Sequence, residues 1–335
     1  MLRYTIRRLL QLAVALLGLS LLLFAWFKAL PGGPENRMLP DNATDEQREA
    51  LRTALGLDES VWVQYSEFLG RIVRLDFGSS LSSGRPVATE LAERLPATIE
   101  LSVFAIVIAI GIGIPLGYLA ARKRGSWLDF TAVSGSLLGI CIPVFFLAAM
   151  LKVVFAQNLG LFPTIGRLSP GAAYTDITGL RILDGLLTGE FDIVGEAFMH
   201  LVLPAIALAS IPLAVITRIT RASVLEVVGE DYVRTADAKG LKPKTIRGRH
   251  ILKNAMLPVV TVIGLLLGQL FAGAVLTESV FSFGGIGSFV YQATTERDYP
   301  ALMGFILIIA VSYVVLNLIV DLSYGFLDPR VRVRS

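Results

Sequence analysis

Six separate runs of roughly twenty apolar residues constrain this chain more than any other feature, since about 20 such residues carry a helix across a ~30 Å hydrocarbon layer. They are Leu9 to Leu30, Ile99 to Ala121, Val133 to Ala156, Phe198 to Thr217, Leu257 to Leu276 and Ala301 to Leu322. Runs this long and unalternated do not suit barrel strands. Lipid leaves no backbone polar group free to go unpaired, so each run reads as a membrane-spanning helix. The composition agrees: 54% hydrophobic residues, 17% charged and a mean hydropathy of +0.67 fit a lipid-facing surface better than a polar shell. The expectation is an all-α polytopic membrane protein with six transmembrane helices.

The first run follows Arg3, Arg7 and Arg8, as in a secretory signal, but it is about membrane length and ends in Leu30-Pro31-Gly32 instead of a small-residue cleavage site. It is read as a retained span. Orientation comes from the basic residues. The amino terminus, the Arg122-Lys123-Arg124 turn, the stretch from Arg218 to Lys253 and the tail with Arg330, Arg332 and Arg334 carry 18 of the 30 lysines and arginines. With six spans these segments share one side, which the positive-inside rule makes cytoplasmic, so both termini are expected inside. The organisation expected is residues 1–30 as amino-terminal region and first helix, 31–97 as an extracytoplasmic segment, 98–327 as a five-helix transmembrane domain, and 328–335 as a cytoplasmic tail. The first outer segment holds Trp62, Tyr65 and Phe68 and is expected to fold into short helices. Gln157 to Ala197 and Glu278 to Pro300 form the other two.

Several function classes fall away. The net charge of +3 is dispersed between apolar runs, which speaks for membrane orientation and against nucleic acid. The lone Cys141 excludes an intramolecular disulfide, and His200 and His250 are too far apart in sequence to suggest a metal cluster. The spans read as almost bare of ionisable residues: Lys28 and Lys152 lie near outer ends, Glu278 just past one, and Asp321 at an inner end. A proton- or sodium-coupled carrier should show a carboxylate or broken-helix site at mid-depth, so a stand-alone secondary carrier is the weaker reading. No phosphate-binding Gly-x-x-x-x-Gly-Lys-Ser/Thr loop occurs and no catalytic constellation converges, which disfavours an enzyme. Any ATP and magnesium must sit on partner subunits. Gly113 with Gly117, and Gly264 with Gly268, allow close helix approach, and Pro115, Pro143, Pro204 and Pro212 are candidate kinks.

The most informative stretch lies in residues 218–256. Gly229 interrupts one helix, Glu230 and Asp231 open another, Arg234 and Lys239 sit toward its carboxyl end, and Gly240 with Pro243 closes it. Tyr232, Thr235, Ala236 and Lys239 fall at i, i+3, i+4 and i+7, which places them on one face, with small Ala236 at its centre. The plain reading is a solvated interfacial helix. The sharper one is a docking helix for a soluble partner.

The string Glu230-Asp231-Tyr232-Val233-Arg234-Thr235-Ala236, then Ala238-Lys239-Gly240-Leu241, and the later Lys253-Asn254-Ala255-Met256-Leu257-Pro258 resemble the coupling loop of ATP-binding-cassette importer permeases, in the longer form of the dipeptide and oligopeptide branch. Matches recur in order along the chain: Gln64-Tyr65, Asp76-Phe77-Gly78-Ser79-Ser80, Arg94-Leu95-Pro96-Ala97-Thr98, Phe281 to Gly287, Arg297-Asp298-Tyr299-Pro300 and Asp328-Pro329-Arg330. Gly33 stands where the family usually has an acid.

The resemblance implies a type I importer permease fold and an inner-membrane location. It implies a second homologous permease, two ATPase subunits, an extracytoplasmic solute-binding protein and a peptide substrate as partners. Glu230, Asp231, Tyr232, Arg234, Thr235, Ala236, Lys239 and Gly240 would couple to the ATPase. Pro258, Gly284, Gly285, Gly287, Asp328, Pro329 and Arg330 would be structural, and substrate contacts stay unassigned. Related permeases import nickel chelates, glutathione or oligosaccharides, which are the alternatives within the family.

Overall fold

The structure is a computed structural model that describes residues 2–29, 43–54 and 58–327. The motif stretches at 30–34, 55–57 and 328–330, with Gly33, Asp328, Pro329 and Arg330, lie outside the described residues. Among those described the chain is helical, and a single isolated bridge between Ser79 and Pro86 replaces any strand. The helices are α1 (Leu2–Ala29), α2 (Asp45–Ala54), α3 (Val61–Val73), α4 (Val87–Arg122), α5 (Trp127–Cys141), α6 (Val144–Leu151), α7 (Arg181–Thr188), α8 (Phe191–Val228), α9 (Asp231–Ala238), α10 (Pro243–Thr245), α11 (Lys253–Phe281), α12 (Ile286–Glu296) and α13 (Tyr299–Leu327). Two π-helical turns, Lys152–Asn158 and Ile246–Leu252, extend α6 and precede α11. Among the described residues, four helices are long and apolar enough to cross a membrane, or up to six if each of two bent pairs is one span.

The chain divides into two compact units, one of Met1–Glu93 with Val290–Val315 and the other built mainly from Arg94–Phe289. In the first, the expected short helices are present. Ser60 caps α3 by accepting from Val63 N, and α3 lies against α1 through Tyr65 and Phe68, whose rings sit 5.4 and 5.6 Å from Phe24. Lys28 donates to Gln64 Oε1 at 3.2 Å, and the Ser20 and Tyr65 hydroxyls meet at 2.9 Å. Two quoted motifs meet at Asp298, which is fully buried: Ser80 Oγ donates to its carboxylate at 2.5 Å and Ala301 N at 3.1 Å. Asp298 thereby caps the amino end of α13, supplying an acceptor to a first-turn N–H that lacks a helical partner.

In the second unit the core is a sandwich of α4, α8 and α11. Ala97, Leu101, Ala105 and Ala109 recur every four residues on α4 and face Leu201, Leu208, Ala209 and Ile216 of α8 and Val259, Leu270 and Ala274 of α11. Small residues on such a stripe let backbones close up. Gly113 and Gly117 continue it. A Cβ at Gly113 would press on Ile216 Cγ2 at 3.0 Å, and one at Gly117 would collide with the carbonyl of Thr217 and with Thr220. Packing therefore accounts for this glycine pair.

One expected span differs. The run from Val133 to Ala156 is two helices, α5 and the extended α6, bent by 101°. Proline pushes the residue before it out of the helical region, and Ile142 before Pro143 is extended at φ −80°, ψ 121°. Lys152, expected near the outer end of this run, donates to the Val280 carbonyl at 2.6 Å.

Candidate functional site

The helix expected to dock a partner is present as α9, bounded by Glu230 and by Gly240, whose φ of +71° is a conformation that glycine adopts without strain. Leu241 N donates to Ala236 O at 3.3 Å and Gly240 N to Asp237 O at 2.8 Å. These two bonds satisfy carbonyls of the last turn in the Schellman arrangement.

Of the face that the spacing picks out, Ala236 is packed within the chain, together with Val233. Val233 and Ala236 are buried, Ala236 to 4% exposure, against Ala121, Val224, Ile246, Ile251 and Ala255 of the same chain. Asp231, Tyr232, Arg234, Thr235 and Lys239 are exposed, with Tyr232 at 41%. Ala236 therefore fills the joint beneath the helix. The reason is an apolar pair: Val233 and Ala236, three apart, are what the adjoining arm can bury, and they set the rotation of the helix.

Two residues of the longer arm complete the joint, and the sequence reading gave them no role. Asn254 Nδ2 donates to Tyr232 Oη at 3.0 Å and to the His250 carbonyl at 2.8 Å, and Ala255 is fully buried under α9. The signal was there in the paired motifs. Pro258 lies inside α11, shortly after this joint. Nearby, Arg221 of α8 holds Asp129 of α5 through two nitrogens, Nε to Oδ1 at 2.5 Å and Nη2 to Oδ2 at 2.8 Å, and Gly125 N donates to the same carboxylate. That fork ties the basic 122–124 turn to α8.

At the opposite ends of α4 and α11 lies a second constellation. Glu278, fully buried, accepts from Thr98 Oγ1 at 2.5 Å, Gly287 N at 2.8 Å and Ser288 N at 3.2 Å, while Ile286 N donates to Thr98 Oγ1 at 3.0 Å. The carboxylate caps α12, where the helix dipole favours negative charge. Three glycines make the turn possible. Gly284 has φ +73°, a Cβ at Gly285 would overlap the Glu278 carboxylate, and one at Gly287 would overlap Val275.

The neighbouring Glu100 is a further correction to the reading of bare spans. It is buried at the start of the second predicted run, accepting from Arg167 Nη2 at 2.5 Å and from Ile182 N at 2.9 Å. Its pairing removes the unbalanced charge that would mark an ion pathway.

Residues 113–333 match the family described as binding-protein-dependent transport system inner membrane component, and residues 1–102 match that family's amino-terminal region. The chain belongs to this family. The permease is 44% identical over 336 residues to the dipeptide transport system permease protein DppB of Escherichia coli strain K12, covering 99% of both chains. It is 42% identical to DppB of Alkalihalophilus pseudofirmus, over 99% of this chain and all of the relative. The oligopeptide transport system permease protein AppB of Bacillus subtilis is 37% identical over 98% of both. As a member of this family the permease is a multi-pass membrane transport subunit and not an enzyme. The α9 joint and the Glu278 cage both fall within residues 113–333, except for the α4 residue Thr98.

Proposed function

We propose that this chain is one of two homologous permease subunits that form the path of an ATP-driven importer for dipeptides or short oligopeptides. The observation that carries the reading is identity of 42% and 44%, over 99% of the chain, to two dipeptide permeases. Six spans with both termini cytoplasmic put α9 and the basic 122–124 turn on the inner side. There the exposed face of Tyr232, Arg234, Thr235 and Lys239 receives an ATPase subunit. Glu230 and Asp231 mark the amino end of that helix and Gly240 its stop.

ATP and magnesium are bound by the ATPase pair and none by this chain. The segment at 31–97 faces outward with the loop before α8, and both, acidic on balance, meet the solute-binding protein. A ligand shifts a two-state equilibrium only through different affinity for the two states, so nucleotide must act through the α9 contact. Co-expression of this chain with its partner subunits and reconstitution into liposomes tests the assignment. ATP-dependent uptake of dialanine that needs the binding protein is expected. Uptake of a nickel chelate or an oligosaccharide with none of dialanine would overturn the peptide reading, and dialanine uptake by the chain alone would overturn the requirement for partners.

A further inference from the structure

The middles of the long helices in the second unit expose almost nothing that can make a hydrogen bond. On α4 the exposed large side chains are Val103, Val107, Ile112 and Leu119, on α5 Leu137, Leu138 and Ile140, and on α8 Ile206. Helix α11 differs. Among its exposed residues Leu257, Thr261, Leu265 and Gln269 recur every four positions and make one stripe, with Pro258 beside its start. Thr261 Oγ1 donates to the Leu257 carbonyl at 3.0 Å and is satisfied within its own helix. The Gln269 carboxamide, with two donors and an acceptor oxygen, has no partner among the described residues.

At 1.5 Å per residue Gln269 lies about 24 Å from the Lys253 end of α11 and about 18 Å from the Phe281 end, well inside the hydrocarbon layer. A free carboxamide facing lipid there would be desolvated without compensation. We infer that the Thr261–Leu265–Gln269 stripe faces the water-filled translocation path, and that Gln269 contacts the backbone amides of the passing peptide. A neutral carboxamide both donates to a peptide carbonyl and accepts from a peptide N–H. It carries no charge that would select among peptide side chains, and the flanking leucines leave the path without fixed charge. This rests on the peptide-permease reading above.

The test uses the assembled importer in liposomes, with Cys141→Ser as background and single substitutions Thr261→Cys, Gln269→Cys, Val107→Cys and Leu138→Cys. A thiol reacts as its thiolate, which lipid suppresses, so a charged methanethiosulfonate should label positions 261 and 269 at least about tenfold faster than 107 and 138. Dialanine with binding protein and ATP should slow labelling at 269. Labelling at 269 as slow as at 107 in a complex that transports would overturn the inference and place a dry helix contact, such as the second permease, on this face. Fast labelling unaffected by transported dialanine would overturn the peptide contact. If the complex takes up no dialanine, the peptide reading fails, while the labelling rates still decide whether the stripe is wet.

Discussion

The two ends of α4 and α11 are joined by opposite means. At one, α9 sits on an apolar joint of Val233, Ala236, Ile246, Ile251 and Ala255, with its polar bonds at the exposed rim. At the other, the α11–α12 turn closes around the fully buried Glu278, held by Thr98 and two backbone N–H groups. An apolar joint loses stability gradually as contacts shift, because dispersion and burial are summed over many small terms. A caged carboxylate fails abruptly, because a missing partner leaves a charge or a donor buried and unpaired. The cage is therefore built as a fixed point, and the α9 joint is the end through which an outside force can be taken up with graded cost.

The sharpest way to break this contrast is Glu278→Ala, which strands Thr98 Oγ1 and the N–H groups of Gly287 and Ser288. At about 1 to 3 kcal/mol for each buried donor left unsatisfied, the substitution should give a large fall in the thermal midpoint of the purified complex. Glu278→Gln, which keeps an acceptor oxygen, should cost clearly less. Equal loss for the two would mean that the full carboxylate, and not shape or a single acceptor oxygen, holds the turn.

Ala236→Trp comes next. Overpacking the joint costs about 1 to 3 kcal/mol and should unseat α9. Faster amide exchange confined to residues 230–241, with loss of ATP-driven uptake, is the expected result. Unchanged exchange would show that Ala236 is not the filler of this joint.

At the rim, Asn254→Ala removes the bond to Tyr232 at an exposed position and should cost only about 0.5 to 1.5 kcal/mol. A loss as large as that of Glu278→Ala, measured by the same thermal midpoint, would erase the distinction between the two ends.

The smallest effect expected lies in the loop before α8. Burial of Asp184 raises its pKa, but hydrogen bonds from the Thr178 hydroxyl and N–H, with further backbone donors, outweigh it and leave the pKa below its usual value. A depressed carboxylate contributes stability above its unfolded pKa and loses it as pH falls through the lower folded value. Amide exchange at residues 178–184 should therefore quicken only in acid below the ordinary carboxylate range, and Asp184→Asn should remove that dependence.

What the sequence made legible follows from the range of the interactions. Apolar helices, the α9 boundaries at Glu230 and Gly240, and the short helices after the first span rest on local composition, capping and glycine; among the described residues four helices are long and apolar enough to cross a membrane, or up to six with the two bent pairs. The third run reads as one span although Pro143 lies within it, and the structure bends it by 101°, since a proline in a membrane run either kinks or breaks it depending on what packs alongside. That Val233 and Ala236 pack within the chain is not legible locally, because their burial partner, Ile246 to Ala255, returns from further along the chain. Glu100 passed unnoticed at the edge of a run because its charge is balanced by Arg167, 67 positions away. The cage around Glu278 was visible only as a glycine-rich motif. Nothing local announces that Thr98, 180 positions earlier, supplies the hydroxyl.

The central claim is that the exposed face of α9, and not its buried face, receives the ATPase. Cross-linking tests it directly: Thr235→Cys and Val233→Cys, each in the Cys141→Ser background, are assembled with the partner subunits and treated with a short bifunctional thiol reagent. Thr235→Cys should cross-link to the ATPase subunit and Val233→Cys should not. Cross-linking from position 233 with none from 235 would contradict the account.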